Sequence, residues 1–468
     1  MTSDSDISRT DTSTNRPELR RRTLLWGICA VTFIVYLDTS IAPVAIPTIA
    51  DSLGGGDTAA QWMLDAYTLA FACLLLSGGL LGDRFGTRRM LLGGTGAFGL
   101  ASIVCALAPT MNVLITGRAL QGVCAAVIVP LSVAALTTHF PDPTARAKAI
   151  GLWGGTAGVA LALGPLVGGV LVSSAGWQSL FWINIPIALF AWGALRLSLH
   201  HKATSRSGGI DVVGQAFFVA AGVGATLALV EGPHRGWAHP FVLVALAVAA
   251  LSVVLFVVWE RRAESPMLPP GLLRIPEVFA ACAVNFLGLF GLYGVLFILT
   301  LYLQGERGLS PIATGLEFLP LFGAMGVGSL TASYIVGRLG TRPTMLLGLG
   351  SICVGMVGLM SIPAGAPFAV YGVALALLGI GIPLSGGVVA IAAMMNAVPA
   401  ESVGAASGAM NTFRQFGAVF GVAAAAIASP RVGSEVTSMS TTFMIGAVGA
   451  LLGAVLTAVV LRPSGPRR

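Results

Sequence analysis

The sequence predicts an all-α integral membrane protein of fourteen transmembrane helices, built as two six-helix bundles with two extra central helices. Three observations carry that prediction. The chain of 468 residues is 56% hydrophobic and only 10% charged, whereas a soluble domain carries about 25% charged residues. A soluble protein this apolar cannot cover its surface. Fourteen apolar runs reach the roughly 20 residues that span a bilayer. Finally, the basic segment Gly82-Asp83-Arg84-Phe85-Gly86-Thr87-Arg88-Arg89-Met90-Leu91-Leu92 returns half a chain later as Gly337-Arg338-Leu339-Gly340-Thr341-Arg342-Pro343-Thr344-Met345-Leu346-Leu347. Two such segments, each read as a short basic loop between apolar spans, point to a duplicated membrane protein.

Residues 1–22 are polar and end in Arg20-Arg21-Arg22, which predicts a disordered tail with a basic stop. It does not read as a cleavable signal, because the apolar run from Leu24 reaches full spanning length with no cleavage site. The runs lie near 24–49, 62–82, 90–109, 112–136, 148–172, 178–197, 210–230, 240–259, 277–303, 312–336, 344–362, 367–392, 403–428 and 441–461. The 61 glycines suit helices that pack backbone to backbone in lipid. Cys29, Cys73, Cys105, Cys124, Cys282 and Cys353 each sit alone in an apolar run, so no disulfide framework or zinc site is expected.

Lys and Arg accumulate on the cytoplasmic side of membrane proteins. With both termini cytoplasmic, 21 of the 26 basic residues fall inside. Only Arg235, Arg307 and Arg431 fall outside, and Arg118 and Arg414 lie within spans. The net charge of +7 is therefore a topology signal, and nucleic acid is not needed to explain it. The first basic segment follows span 2 and its echo follows span 10, so two spans are inserted between the halves. The expected domains are a tail at 1–22, a first bundle at 23–200, the two added helices and linker at 201–262, a second bundle at 263–462 and a tail at 463–468. Duplicated halves with a substrate site at their interface near mid-membrane are the pattern of secondary transporters.

Several motifs in order now resemble one family. Gly78-Gly79-Leu80-Leu81 with the first basic segment is similar to the signature between helices 2 and 3 of the major facilitator superfamily. Leu37-Asp38-Thr39-Ser40-Ile41-Ala42-Pro43-Val44-Ala45-Ile46-Pro47 in span 1 resembles the motif of its fourteen-span drug:proton antiporters. Arg118-Ala119-Leu120-Gln121-Gly122 in span 4 resembles the family's Arg-x-x-Gln-Gly element. Gly154-Gly155 through Gly158 to Gly164-Pro165-Leu166-Val167-Gly168-Gly169 resembles the antiporter motif of span 5, and Trp182-Ile183-Asn184-Ile185-Pro186 is typical of span 6. The resemblance covers residues 22–462 and implies the major facilitator fold and proton-coupled export of multiple drugs or antibiotics. The second basic segment departs from the first, with Gly337 where Asp83 is expected.

Asp38 lies midway along span 1. A bare carboxylate in hydrocarbon is costly, and burial favours the neutral form, which suits a proton carrier. Arg118 needs acceptors, and carboxylates such as Asp38 are candidates; the resemblance links this arginine to proton transfer. Asp65, near the outer end of span 2, is a further proton-coupling candidate. In span 5 the glycines strip one helix face of side chains and Pro165 permits a bend. The resemblance implies that Gly154, Gly158, Gly164, Pro165, Gly168 and Gly169 form a hinge and seal against the other half. Asp83 with Arg84, Arg88 and Arg89 can form a charge latch that breaks as the halves rock. Glu317, Asn285, Phe286, Phe290 and Tyr293 are candidates to line a substrate cavity. Gln121, and Asn411 with Arg414 one turn later, read as structural polar braces.

Soluble-enzyme signatures are missing: there is no GxxxxGK[ST] loop for ATP, no assembled nucleophile and no His pair at metal spacing. The expected partners are a small hydrophobic substrate, cationic if free carboxylates face it, together with protons and the lipid of the cell membrane. No cofactor is expected beyond the proton gradient, and the protein is expected to be a monomer. Export of one specific endogenous metabolite or antibiotic is the alternative. A non-transporting receptor is more distant, since it would call for a sizeable soluble signalling domain.

Overall fold

Pro and Gly punctuate a chain of long helices. The computed structural model describes residues 15–461, apart from 55, 200–210, 264–265, 269–270, 361–366, 396, 399–402 and 429–434. The first half contains α1 (Asn15–Ile41), α2 (Ile46–Leu53), α3 (Gly56–Phe85), α4 (Thr87–Ala106), α5 (Met111–His139), α6 (Pro143–Ala175), α7 (Ser179–Trp182) and α8 (Asn184–Ser198). Two added helices follow, α9 (Val212–Arg235) and α10 (Pro240–Glu260). The second half contains α11 (Pro276–Leu301), α12 (Pro311–Glu317), α13 (Leu319–Leu339), α14 (Thr341–Met360), α15 (Phe368–Ser385), α16 (Gly387–Met395), α17 (Val403–Ala428) and α18 (Glu435–Val460). No strand occurs among the described residues.

Thirteen stretches of the described residues are long and apolar enough to cross a membrane. The expected run at 403–428 is the exception. It forms the 26-residue helix α17, but its middle carries Asn411, Thr412, Arg414 and Gln415, and Thr412 and Gln415 are buried inside the protein. Its polarity faces inward rather than toward lipid. Several starts follow capping rules. Thr110, Asp142, Asp211 and Ser310 accept from backbone N–H groups three residues on, and Pro opens α6, α10, α11 and α12.

Three expectations on segmentation change. The tail is shorter than 1–22, because α1 begins at Asn15. There Glu18, favourable at a helix start, pairs with Arg22, and Arg20 Nε donates to the carbonyl of Ser198 at 3.1 Å. Span 1 breaks at a 3-10 turn, Ala42–Ala45, set by Pro43 and Pro47. The basic segments are not loops: only one residue, Gly86 or Gly340, separates the flanking helices. Each adopts a positive φ, 89° and 86°, a conformation that only Gly reaches without strain. Residues 1–14, 201–210 and 463–468 lie outside the described residues, so the ends of both expected tails and most of the central linker are not placed.

The added pair is not peripheral to the seam. α9 packs on α10 and also touches α3 of the first half and α17 of the second. Ser77 on α3 donates to Gln215 Oε1, and Gln215 Nε2 donates to the carbonyl of Cys73 at 2.7 Å. Phe218 meets Phe416 of α17 edge-on, with centroids 5.7 Å apart.

At the end of the molecule away from α1's start the halves are sealed. Gln304 Nε2, in the π turn Tyr302–Glu306 after α11, donates to the carbonyl of Val44 at 2.9 Å. A Cβ at Gly169 on α6 would lie 2.8 Å from Ile312 Cα on α12, and one at Gly315 would press on the backbone of Pro165. Toward the other end, a Cβ at Gly151, Gly154 or Gly155 meets nothing. The seam is closed where α6 meets α12, and toward the other end the α6 glycines leave space for a Cβ.

Candidate functional site

The first half encloses a charged centre made by five helices, α1, α3, α4, α5 and α8. Asp38 on α1 and Arg118 on α5 are each 1% exposed and form an ion pair, Arg118 Nη1 to Asp38 Oδ2. The sequence left the arginine's partner open, and the fold supplies it. Arg118 Nη1 also donates to Gln121 Oε1 at 3.0 Å, and Arg118 Nε donates to the carbonyl of Met63 at 3.2 Å. Its guanidinium lies 4.4 Å over the ring of Tyr67, whose hydroxyl donates to the carbonyl of Val35 at 3.1 Å. A buried guanidinium therefore has an anion, two oxygen acceptors and an aromatic face.

The other carboxylate oxygen receives two amides. Asn184 Nδ2, at the start of α8, donates to Asp38 Oδ1 at 2.9 Å, and Gln121 Nε2 donates to it at 3.2 Å. Both amides also reach Ser102 Oγ on α4, Gln121 at 2.9 Å and Asn184 at 3.3 Å. Ser102 in turn donates to the carbonyl of Phe98 at 2.9 Å. Asp38, Ser102, Arg118, Gln121 and Asn184 are all buried. Gln121, expected as a structural brace, contacts both members of the charged pair.

Asp65 stands apart from this centre. It is 0% exposed, and neither carboxylate oxygen has a hydrogen-bond partner. It is on α3, two residues before Tyr67.

In the second half the candidates scatter. Asn285 is buried; it donates to the carbonyl of Ala281 at 2.8 Å and accepts from Gly387 N at 3.1 Å, holding the break between α15 and α16. Phe286 and Phe290 stack with centroids 6.1 Å apart, and Phe286 meets Phe420 of α17. Phe420 continues through Phe416 and Phe218 to Phe256 on α10, so these rings belong to the packing that ties α11 to α17 and the added pair. Glu317 closes α12, outside the span that begins at Leu319, and accepts from the Tyr371 hydroxyl, which itself accepts from Arg307 at 3.1 Å. Asn411 and Arg414 do not brace each other. Asn411 donates to the carbonyl of Ser407 at 3.0 Å, while Arg414 crosses the seam to Tyr36, 3.5 Å from its hydroxyl. Tyr293 is buried on α11, as is Tyr36 on α1.

The span-5 glycines divide between two jobs. Gly164 and Gly168 pack on Ser40 and Ile41 of α1, within their own half, while Gly158 and Gly169 face Ser329 and Pro311 of the other half. Pro165 sits inside α6 without ending it. In the first basic segment the Asp83 side chain lies outside the described residues. Arg84 lies 5.7 Å over Phe85, and Arg89 is exposed. Arg88 Nη2 donates to the carbonyl of Arg196 in the last turn of α8 at 3.4 Å. In the echo, Arg342 Nη2 donates to the carbonyl of Ala458 near the end of α18 at 2.8 Å. The repeat thus shares a task the sequence did not disclose: the arginine after Gly-Thr caps the C-terminus of the last helix of its own half, where cations are favoured.

Among the described residues no cluster of three His, Cys, Asp or Glu side chains could hold a metal. Sequence reasoning missed Ser102, Tyr67 and the role of Asn184. Asn184 was visible as part of a typical span-6 motif, but nothing in one sequence shows that it meets a residue 146 positions earlier.

Comparison with known proteins converges on one group. A family model described as Major Facilitator Superfamily matches residues 28–422. The chain is 36% identical over 395 residues to the multidrug resistance protein Stp of Mycobacterium tuberculosis, spanning 84% of this chain and 72% of that one. It is 34% identical over 393 residues to the methylenomycin A resistance protein of Streptomyces coelicolor, covering 83% and 81%. It is 36% identical over 411 residues to the puromycin resistance protein pur8 of Streptomyces alboniger, covering 87% and 81%. A crystal structure of an auto-inhibited POT family peptide transporter superposes with a TM-score of 0.66 at 16% identity, covering 96% of this chain and 98% of that chain. That likeness concerns the fold.

Proposed function

The chain belongs to the Major Facilitator Superfamily, and from that premise we propose that this multi-pass membrane protein exports drugs or antibiotics across the cell membrane in exchange for protons. Its relatives bear the names of multidrug, methylenomycin A and puromycin resistance proteins, and another that of a tetracenomycin C resistance and export protein. Both termini lie in the cytoplasm, the protein works as a monomer, and the proton gradient is its only energy source.

The observation that carries proton coupling is the Asp38–Arg118 pair, sealed in the first half and bonded at both carboxylate oxygens. A pair with no solvent on either side is costly to break one partner at a time. Protonation of Asp38 neutralises one partner, frees the Arg118 guanidinium and changes which helices are tied together. Asp65 has no cation beside it to hold a negative charge, and it receives the proton as a second carrier. The α6 glycines permit the halves to rock about the seam, the alternating access of secondary transporters.

The substrate is small and hydrophobic. A cationic charge is not required of it, because Asp38 is already engaged by Arg118 and the cation Arg414 faces Tyr36 across the seam. Challenging cells with and without the protein with a panel of toxic compounds tests the reading. The expected result is reduced accumulation of hydrophobic compounds, restored when the proton gradient is collapsed. Equal accumulation in both cell types for every compound, or efflux that survives loss of the gradient, would refute it.

A further inference from the structure

Asn184 is the residue of the charged centre to which neither its motif nor the reading above assigns a role. It is 0% exposed, and its two amide atoms have opposite fates. Nδ2 donates to Asp38 Oδ1 and Ser102 Oγ. Oδ1 is buried with no hydrogen-bond partner at all. A buried acceptor left unsatisfied costs its desolvation, so natural proteins rarely keep one without a reason.

The neighbouring amide behaves otherwise. Gln121 Oε1 accepts from Arg118 Nη1 and from Cys105 Sγ, which locks Gln121 with its Nε2 toward Asp38. Nothing locks Asn184 the same way. Its orientation is set only by what it donates to. While Asp38 is ionised it offers acceptors alone, and the amide must present Nδ2. Once Asp38 is protonated it carries an O–H that needs an acceptor.

We propose that Asn184 is a two-way positioning residue for the proton step: it donates to ionised Asp38 and, after a half-turn of its amide, accepts from the protonated acid. The proton comes from a hydronium ion, forms the O–H bond on Asp38 Oδ1 and leaves water behind. The half-turn satisfies Oδ1 and orphans Nδ2, so the number of unpaired buried atoms is the same before and after. Both protonation states are thereby served by one side chain, and Gln121 stays fixed. Asn184 opens α8, and α8 packs on both α1 and α4. The swap is thus felt where three helices meet.

The charged and titratable groups around Asp38 come from several helices. Arg118 on α5 pairs with it. Tyr67 on α3 and Cys105 on α4 lie close enough to feel its charge, and Tyr293 on α11 faces Tyr67 and Arg118. Within the first half, α6 from 149 to 175, α7, and α8 up to Arg196 contribute none. Asn184 is therefore the only group that α8 offers to the carboxylate.

The inference rests on Asp38 being the proton carrier, and the test separates the two. Acid-minus-alkaline infrared difference spectra are recorded on the full chain in lipid vesicles, without any transported compound. The spectra are recorded in an Asp65→Asn background, so that the second carrier contributes no band, and the parent protein is expected to show the C=O band of a protonated carboxyl that vanishes on adding Asp38→Asn. In Asn184→Leu, which neither donates nor accepts, that band moves to higher wavenumber and its pH midpoint moves to the alkaline side. The bond lost from the ionised form is charge-assisted and outweighs the neutral bond lost from the protonated form, which leaves a net shift of up to about one pH unit, tenfold in proton concentration. Asn184→Ser, whose hydroxyl can do both, returns the midpoint and the band part of the way. If the band survives Asp38→Asn, Asp38 is not the carrier, and the proposed function's coupling site falls together with this inference. If the band vanishes in Asp38→Asn yet Asn184→Leu leaves midpoint and wavenumber unchanged, the coupling site stands and the two-way role of Asn184 is overturned. A midpoint that shifts equally in Asn184→Leu and Asn184→Ser also overturns it.

Discussion

At the scale of the residue, the protein keeps an ion pair where neither member meets solvent. Removing one partner of such a pair typically costs about 3–5 kcal/mol, because the other charge is left uncompensated. Arg118→Met should therefore lower the unfolding temperature at neutral pH. Acidification neutralises the stranded Asp38, so the deficit should shrink as pH falls. Thermal unfolding in detergent across pH measures this. A deficit that grows on acidification would contradict the pairing. The double variant Arg118→Met with Asp38→Asn removes both charges and should recover part of the loss at neutral pH. The two charges were legible in the sequence because each interrupts a long apolar run. The amides around them were not, because Gln and Asn are unremarkable in a helix until the fold aims them. Asn285 shows the reverse. It read as a cavity residue, and its amide instead bonds the backbone at the α15–α16 break.

At the scale of the element, helix boundaries follow from Pro and Gly, and the packing of α6 follows from its missing side chains. The sequence announced a helix face without side chains, but not which glycine meets which neighbour. The structure separates them: Gly169 touches the other half, Gly164 and Gly168 touch α1, and Gly154 faces open space. Gly169→Leu should prevent the closed end from sealing, while Gly154→Leu leaves it sealed. Labelling of a cysteine introduced at Val44, whose backbone carbonyl still accepts from Gln304, by a membrane-impermeant thiol reagent reads this out, with increased labelling expected only in the Gly169 variant. Equal labelling in both would show that this contact does not hold the seam. The two basic segments are a second case. Gly86→Ala and Gly340→Ala each force a residue with a Cβ into positive φ, at a cost of about 1–2 kcal/mol. Each should lower thermal stability by a similar amount. An effect at only one of them would mean that the two copies differ in more than Asp83.

At the scale of the whole molecule, α9 contacts both halves at once, α3 through Gln215 and α17 through Phe218. Counting spans in the sequence predicted that two helices are inserted between the halves. It did not predict where they dock, since a lipid-facing apolar helix carries few marks of its partner. A Cβ at Gly222 would lie 2.8 Å from Cys73 Sγ of α3 and 3.0 Å from the Phe416 ring of α17. Gly222→Leu should therefore pry α9 from the seam and slow transport. Gly236→Leu, at the far end of α9 where a Cβ meets nothing although φ is 92°, tests whether strain in α9 alone has that effect. Transport slowed equally by both would show that docking on the seam is not what matters.

In the proposed cycle, export is driven by protons passing through Asp38. The most direct measurement is proton movement in vesicles carrying the purified protein and a pH-sensitive dye, with a compound that the accumulation panel identifies as exported added on the substrate side. The wild type should move protons opposite to the compound, and Asp38→Asn should abolish that coupled movement while the folded protein persists. Proton movement of wild-type size in the Asp38→Asn protein would contradict the account.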